Sequence, residues 1–412
     1  MVKKTYELKL VENHGSQVTW NALRMLFIEA KWVLNYLIHC PFVFEYVIKD
    51  TILVKVFNVF TQKCDMIEER PLCFLGSHIK QSLVKKVQQD IINLSKAKKK
   101  GRKVGALRPI SECTSIPLKQ FGVTYQLRGN RVTIQNIGEF RVRGQEQIPA
   151  NAEIAQATLI KKSSGYYLKV LTHQVPQPQT TQGAIGLDKG VKIPVCLSNG
   201  IEADVGVPMP KIIPKRHKDV SRTKSRSKNR KHAQNQLAKK YEHWTNQRND
   251  KANKFVHFLK QFSLIASQDD NVAAWKRLWG KKLQETAFGR ITVSLERLTT
   301  FVNLPKYLPT TKECPHCLRH NYIPLDDREY SCSCGFREHR DVKAAKTALC
   351  YAIYLQEHPS QDLRRLTVEE RTAVYKIYDF VSISPFVEAV SPIIPAREIL
   401  LESGEAPDFS QG

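Results

Sequence analysis

Four cysteines set the tightest limit on how this chain can fold. Cys314-Pro315-His316-Cys317 places two thiols across two intervening residues, and Cys332-Ser333-Cys334-Gly335 is a second, tighter knuckle. Thiolates are soft ligands, and four of them close a tetrahedral structural zinc site with no position left open for chemistry. The loop between the knuckles is short, so the ion supplies most of its folding free energy. The expected ligands are Cys314, Cys317, Cys332 and Cys334. His316, His320 or His339 can replace one of the last two, and the plain alternative is four free thiols in a loop. Cys40, Cys64, Cys73, Cys113, Cys196 and Cys350 are scattered, as ordinary buried thiols of a reducing compartment are. Met1 to Leu8 lacks the apolar segment of a signal peptide, so a cytoplasmic protein is expected.

Charge narrows the partners. The 412 residues predict two or three domains, and their formal net charge is +25. A field of that size concentrates polyanions, so DNA or RNA is the expected partner and an anionic membrane the runner-up. No apolar run approaches the roughly 18 residues of a spanning helix. Phe42 to Phe60 is apolar, but Glu45, Lys49, Asp50 and Lys55 interrupt it.

Periodicity divides the chain. Thr5 to Val11 alternates like a barrel or edge strand. From about Gln17 to Ala97 the pattern is helical, with Leu23, Leu26, Phe27 and Ala30 and later Ile79, Leu83 and Val87 in register, ending in a basic turn with a glycine stop. Ser115 to Thr172 reads as short strands, among them Val123–Leu127, Arg131–Ile134, Phe140–Val142 and Tyr166–Val170. A strand-rich module is thus interrupted by a helical insertion. Pro176 to Gln182 reads as a linker. Beyond it, Ile185-Gly186-Leu187-Asp188 is a buried strand ending in an acid, and Ser198-Asn199-Gly200 is a hairpin turn. A basic tract over Lys211–Lys231 runs into a long helix. Phe262–Ser267 is a short strand, Trp275 to about Leu298 is mostly helical, and Thr300–Leu304 is a strand leading to the cysteines. A helix starts at Val342. The tail after about His358 shows little periodicity, and its last dozen residues read as disordered.

Two acids stand at positions where chemistry is often placed. Asp188 closes a strand, and Asp341 opens a helix in His339-Arg340-Asp341-Val342-Lys343-Ala344-Ala345. Each has a bland reading, as a turn residue and as a helix N-cap respectively. Together with the cysteines they resemble TnpB, the transposon-encoded RNA-guided nuclease family related to the type V CRISPR effectors. Gly186-Leu187-Asp188-Lys189-Gly190-Val191-Lys192, Pro309 to Cys317, and Cys332-Ser333-Cys334-Gly335 through Ala345 carry the likeness, which runs over roughly residues 5 to 350. The resemblance implies an α/β plus β-barrel protein. Residues 1–15 and 105–176 would form a wedge-type barrel, 16–104 a helical recognition lobe, 183–308 and 339–357 an RNase H-like RuvC nuclease domain, 309–338 an inserted zinc ribbon, and 358–412 a partly disordered tail. It implies two magnesium ions about 4 Å apart, bridged by carboxylates, as the cleaving centre. Lys215, Arg216, Lys218, Arg222, Lys224, Arg226, Lys228, Arg230 and Lys231 would line a nucleic-acid channel, with a solvated linker as the alternative.

The family expects three acids, the second being a glutamate at the end of the fourth strand. Gln268 stands there, in Leu264-Ile265-Ala266-Ser267-Gln268-Asp269-Asp270-Asn271-Val272. Asp270, or its neighbour Asp269, can supply the acid from a shifted position; the site can be dead; or Glu296 can be the acid. The expected function is RNA-guided DNA cleavage through Asp188, Asp270 and Asp341, with a guide RNA and a duplex target as partners. The alternatives are a nuclease-dead RNA-guided repressor and a DNA transposase or its accessory.

Overall fold

The computed structural model describes residues 1–12, 16–58, 63–175, 181, 183–324 and 326–383. The chain divides into two compact units, residues 1–177 and 178–412. The linker expected over 176–182 falls almost wholly outside the described residues.

In the first unit β1 (Val2–Leu10) is followed by α1 (Gln17–His39), a hairpin of β2 (Thr51–Asn58) and β3 (Lys63–Pro71), and α2 (Ser77–Lys99). Then come β4 (Ser115–Leu118), β5 (Tyr125–Arg128), β6 (Arg131–Ile134), β7 (Gly138–Arg143), β8 (Glu153–Lys162) and β9 (Gly165–Gln174). Seven strands pair antiparallel in the order β4-β8-β9-β1-β7-β6-β5 and curl into a nearly closed barrel. Its inward positions alternate as the sequence does: Leu8, Val132, Phe140, Leu159 and Leu168 are fully buried. The helices α1 and α2 pack on this core through Leu23, Leu26, Ala30, Ile79 and Leu83. Glu29 of α1 is buried because it accepts from the backbone amides of Cys73, Phe74 and Leu75, fixing the start of α2. One expectation fails here. The helical block over 17–97 is split by the β2–β3 hairpin, where Thr51-Ile52-Leu53-Val54-Lys55-Val56 follows strand chemistry rather than a helical stripe.

The second unit opens with β10 (Ala184–Lys189), β11 (Val195–Leu197) and β12 (Glu202–Ala203). It continues through α3 (Ile212–Arg222), α4 (Lys228–Leu259), β13 (Leu264–Gln268), α5 (Val272–Glu285), α6 (Phe288–Leu295) and β14 (Phe301–Leu304). The hairpin of β15 (Glu329–Ser331) and β16 (Arg337–His339) precedes α7 (Arg340–Glu357) and α8 (Val368–Ile383). Five strands form one mixed sheet, order β12-β11-β10-β13-β14, with β10, β13 and β14 parallel. Both faces are covered, which explains the continuous apolar runs of β10 and β13. Ile185, Leu187 and Ile265 face a core with Ala252, Phe255 and Ile291 of α4 and α6. Leu264, Ala266 and Leu304 face a core with Ala348, Tyr351 and Val374 of α7 and α8.

The helix α8 lies in what the sequence reads as an aperiodic tail. Its start is a capping box: the Thr367 hydroxyl accepts from the Glu370 amide, and the Glu370 carboxylate accepts from the Thr367 amide. Val374, Tyr378 and Val381 then recur on its buried face. The disorder expected for the last dozen residues lies outside the described residues.

Candidate metal centre and acid pocket

The four cysteines come together as expected. The sulfurs of Cys314, Cys317, Cys332 and Cys334 all lie within 4.8 Å of one another. Cys314 and Cys334 are 3.6 Å apart, and Cys317 and Cys332 3.5 Å. A zinc ion with bonds of about 2.3 Å separates its sulfurs by about 3.8 Å, so the set fits zinc after small side-chain adjustments. Each knuckle turns through a left-handed residue, Leu318 (φ 59°) in the first and Gly335 (φ 94°) in the second. The histidines are placed otherwise: His316 packs on the ring of Phe336, and His320 meets Glu313. His339 precedes α7 as its N-cap residue.

The acid pocket is built by one close approach. Gly186 faces α7, and a Cβ there would sit 1.9 Å from the carbonyl oxygen of Ala345. Only glycine lets the helix backbone lie on the strand at this point. Asp188 is two residues along the same strand face, and Asp341 is one turn before Ala345 in α7. The packing therefore sets the two carboxylates toward each other. Burial pushes the Asp188 carboxyl well above its ordinary range, and the charges of Asp341 and Asp270 push it further.

The parallel register pairs Gly186 with Ala266 and Leu187 with Ser267, so Gln268 lies beside Asp188 on the neighbouring strand. Its side chain is fully engaged elsewhere. The amide nitrogen donates to the carbonyl oxygens of Pro305 (3.3 Å) and Leu308 (3.2 Å), and the amide oxygen accepts from the Thr310 hydroxyl (3.1 Å). Thr310 in turn accepts, through its carbonyl oxygen, from the buried ammonium of Lys343 on α7. Gln268 thus ties the end of β13 to the segment that enters the cysteine ribbon.

Asp269, Asp270 and Asp341 each have a cation. Asp270 pairs with Lys189 (3.1 Å), whose ammonium also donates to the Gln268 carbonyl oxygen (3.0 Å). Asp341 is buried; one carboxylate oxygen pairs with Arg328 (2.6 Å) and the other with Arg340 (3.3 Å). It is the second residue of α7 and not its N-cap. Asp269 pairs with Lys306, and Glu296 is exposed at the end of α6. A two-magnesium centre needs carboxylate oxygens that converge on the ions. Among the described residues, the four cysteines are the one group of three or more metal-binding side chains gathered closely enough to hold an ion. With an amide at 268 and cations on Asp270 and Asp341, the acid pocket as folded does not fit a magnesium pair.

The basic tract is helical rather than a linker, with a break at residues 223–227 between α3 and α4. Lys215, Lys218, Arg222, Lys224, Arg226, Lys228 and Lys231 are exposed. Arg216 pairs with Asp219, and Arg230 donates to the carbonyl oxygens of Val220 and Thr223, closing the end of α3. Arg230 thereby serves the fold.

Sequence reasoning missed Lys189, Arg328 and Arg340 as counter-charges: Lys189 and Arg328 are far in sequence from the acids they meet, and Arg340, although next to Asp341, was not read as its partner. It also missed Glu313, fully buried beside the first knuckle, which accepts from Arg371 and from the Tyr375 hydroxyl (2.8 Å) of α8.

Residues 295–347 match the family model of the Cas12f1-like TNB domain. That stretch contains all four cysteines, Arg328 and Asp341. A protein of Streptomyces pristinaespiralis named "Putative RNA-guided DNA endonuclease" is 27% identical over 251 residues, 54% of this chain. These matches support a likeness to TnpB/Cas12f-like proteins. The match to the Streptomyces relative spans 59% of that relative's length. A solved Cas12f1–sgRNA–target DNA complex matches this chain at 11% identity and a TM-score of 0.42, over 65% of this chain and 70% of that one.

Proposed function

We propose that this TnpB/Cas12f-like chain is an RNA-guided DNA-targeting protein. A guide RNA would select a duplex by base pairing, and the chain would supply the charged surface that holds both. The observation that carries the reading is the meeting of Asp188 and Asp341 across the Gly186–Ala345 contact, directly beside a four-cysteine ribbon. A mixed sheet with a helix across its first strand supports the RNase H-like frame expected for 183–308 and 339–357. The exposed cations of α3 and α4 support a nucleic-acid surface. Among the described residues no helix is long and apolar enough to cross a membrane. A reducing, cytoplasmic setting belongs to the same reading, since it keeps the zinc thiolates available.

Purified protein should carry RNA, and guide-loaded protein should bind a matched duplex and release it when the guide is scrambled. Protein that carries no RNA and shows no guide-dependent binding across a library of flanking sequences would remove the proposal.

The endonuclease form of this reading assigns cleavage to Asp188, Asp341 and a third acid, Asp270. Alanine at any of the three should then abolish cutting and spare binding. A second form, target binding without cleavage, is favoured by one observation: the amide of Gln268 stands beside Asp188 with all its hydrogen bonds spent on the 305–310 segment. In that form the wild-type complex binds a matched duplex and leaves it intact.

A further inference from the structure

The pocket beside Asp188 carries cations of its own side chains. Asp188, Asp270 and Asp341 face Lys189, Arg328 and Arg340. Arg328 and Arg340 enclose Asp341 from the ribbon side and from the first turn of α7. Lys189 is different, because it sits where two strands end. Its side chain is only 9% exposed, and its ammonium bridges the backbone oxygen of Gln268 and the carboxylate of Asp270. An ammonium is a compact point charge with three donors, and these two oxygens give it the ligands that a small hard cation takes.

We propose that Lys189 is the resident cation of this pocket, holding the place of a divalent ion between the ends of β10 and β13 and excluding such ions from the RNA-free protein. The inference deepens the acid-pocket part of the function proposed above and rests on it, but does not depend on RNA guidance. Two features make the arrangement self-consistent. The adjoining residue is an amide, whose oxygen already accepts from Thr310 and which adds no negative charge for a metal to neutralise. Turning that amide inward would strip Pro305 and Leu308 of their donor, which opposes rearrangement toward a metal-binding form. A hydrated magnesium ion sheds water reluctantly and would have to displace a paired ammonium to enter.

Manganese(II) is the probe, read by electron paramagnetic resonance on the full-length, zinc-loaded protein without RNA or DNA. Wild type is expected to show no manganese binding that depends on Asp188. Lys189→Met should gain a site at least about tenfold tighter, because a positive charge within a few ångströms of the carboxylates is removed. Adding Asp188→Asn to that variant should abolish the new site. Lys189→Gln serves as a second variant in which the stem stays polar, with circular dichroism reporting the fold. Asp188-dependent manganese binding by wild type that is unchanged in the Lys189 variants would overturn the proposal. So would the lack of any gain in a folded Lys189 variant. If both variants misfold, the wild-type measurement still decides, since Asp188-dependent binding there contradicts an excluded ion. Either failure leaves guide-directed DNA recognition untouched, because neither guide nor target is present.

Discussion

A carboxylate buried near two others is costly to keep charged, and Asp188 is held in that state by the packing of α7 on Gly186. Its folded pKa lies above the unfolded value of about 4, so between those two values the native state holds a proton that the unfolded state has lost. Stability should therefore fall as pH rises through that window, and Asp188→Asn should remove the fall. At neutral pH the RNA-free Asp188→Asn protein is expected to be more stable than wild type by about 0.5–2 kcal/mol. Thermal unfolding followed from pH 4 upward checks this; superimposable profiles for the two proteins would contradict it. Gln268 gives the opposite expectation. A glutamate there offers no donor to Pro305 and Leu308 and sets a negative charge against two carbonyl oxygens. Gln268→Glu should lower stability by about 1–3 kcal/mol, seen as an earlier urea midpoint with an unchanged slope.

Among the elements, α8 carries the most unexpected consequence. It reaches the ribbon through Arg371 and Tyr375 on Glu313, through Tyr378 on Glu338, and through the ring contact of Tyr378 with Phe336. Arg371→Ala leaves a buried carboxylate with less compensation, an effect of about 3–5 kcal/mol for a fully buried pair and less here because Arg371 is partly exposed. Zinc should then pass to a chromophoric chelator faster than from wild type, whereas equal release rates would detach α8 from the ribbon's stability. This helix was legible and overlooked: Thr367-Val368-Glu369-Glu370 is a capping box, and apolar residues recur at 374, 378 and 381. The β2–β3 hairpin was harder to see. The alternation of β2 is embedded in the apolar stretch from Phe42 to Phe60, and short apolar runs do not separate strand from helix by period alone.

At the scale of the whole chain the dominant quantity is the charge of +25. Exposed arginines and lysines on α3, α4 and the break between them should contribute to it in solution, whereas Arg230 is engaged by backbone carbonyls at the end of α3. Replacing Arg222, Lys224, Arg226 and Lys228 by alanine should flatten the log–log salt dependence of duplex binding by up to about 3.6, about 0.9 for each phosphate no longer neutralised. An unchanged slope would make the tract a scaffold and not a binding surface. The strand alternation, the cysteine spacing and the acid after a buried strand were readable because each is local. The cations at 189 and 328 were not, because only the fold brings them to the acids at 270 and 341. The close approach at Gly186 bears on how such chains are sorted by sequence. The distance between the two facing aspartates depends on a methyl group that is missing, since a Cβ at 186 would force α7 to stand off by roughly 1 Å. A homologue with both aspartates and an alanine at this place would pass any inventory of acidic residues with its acid pair already parted, so the glycine is the letter such a survey has to read.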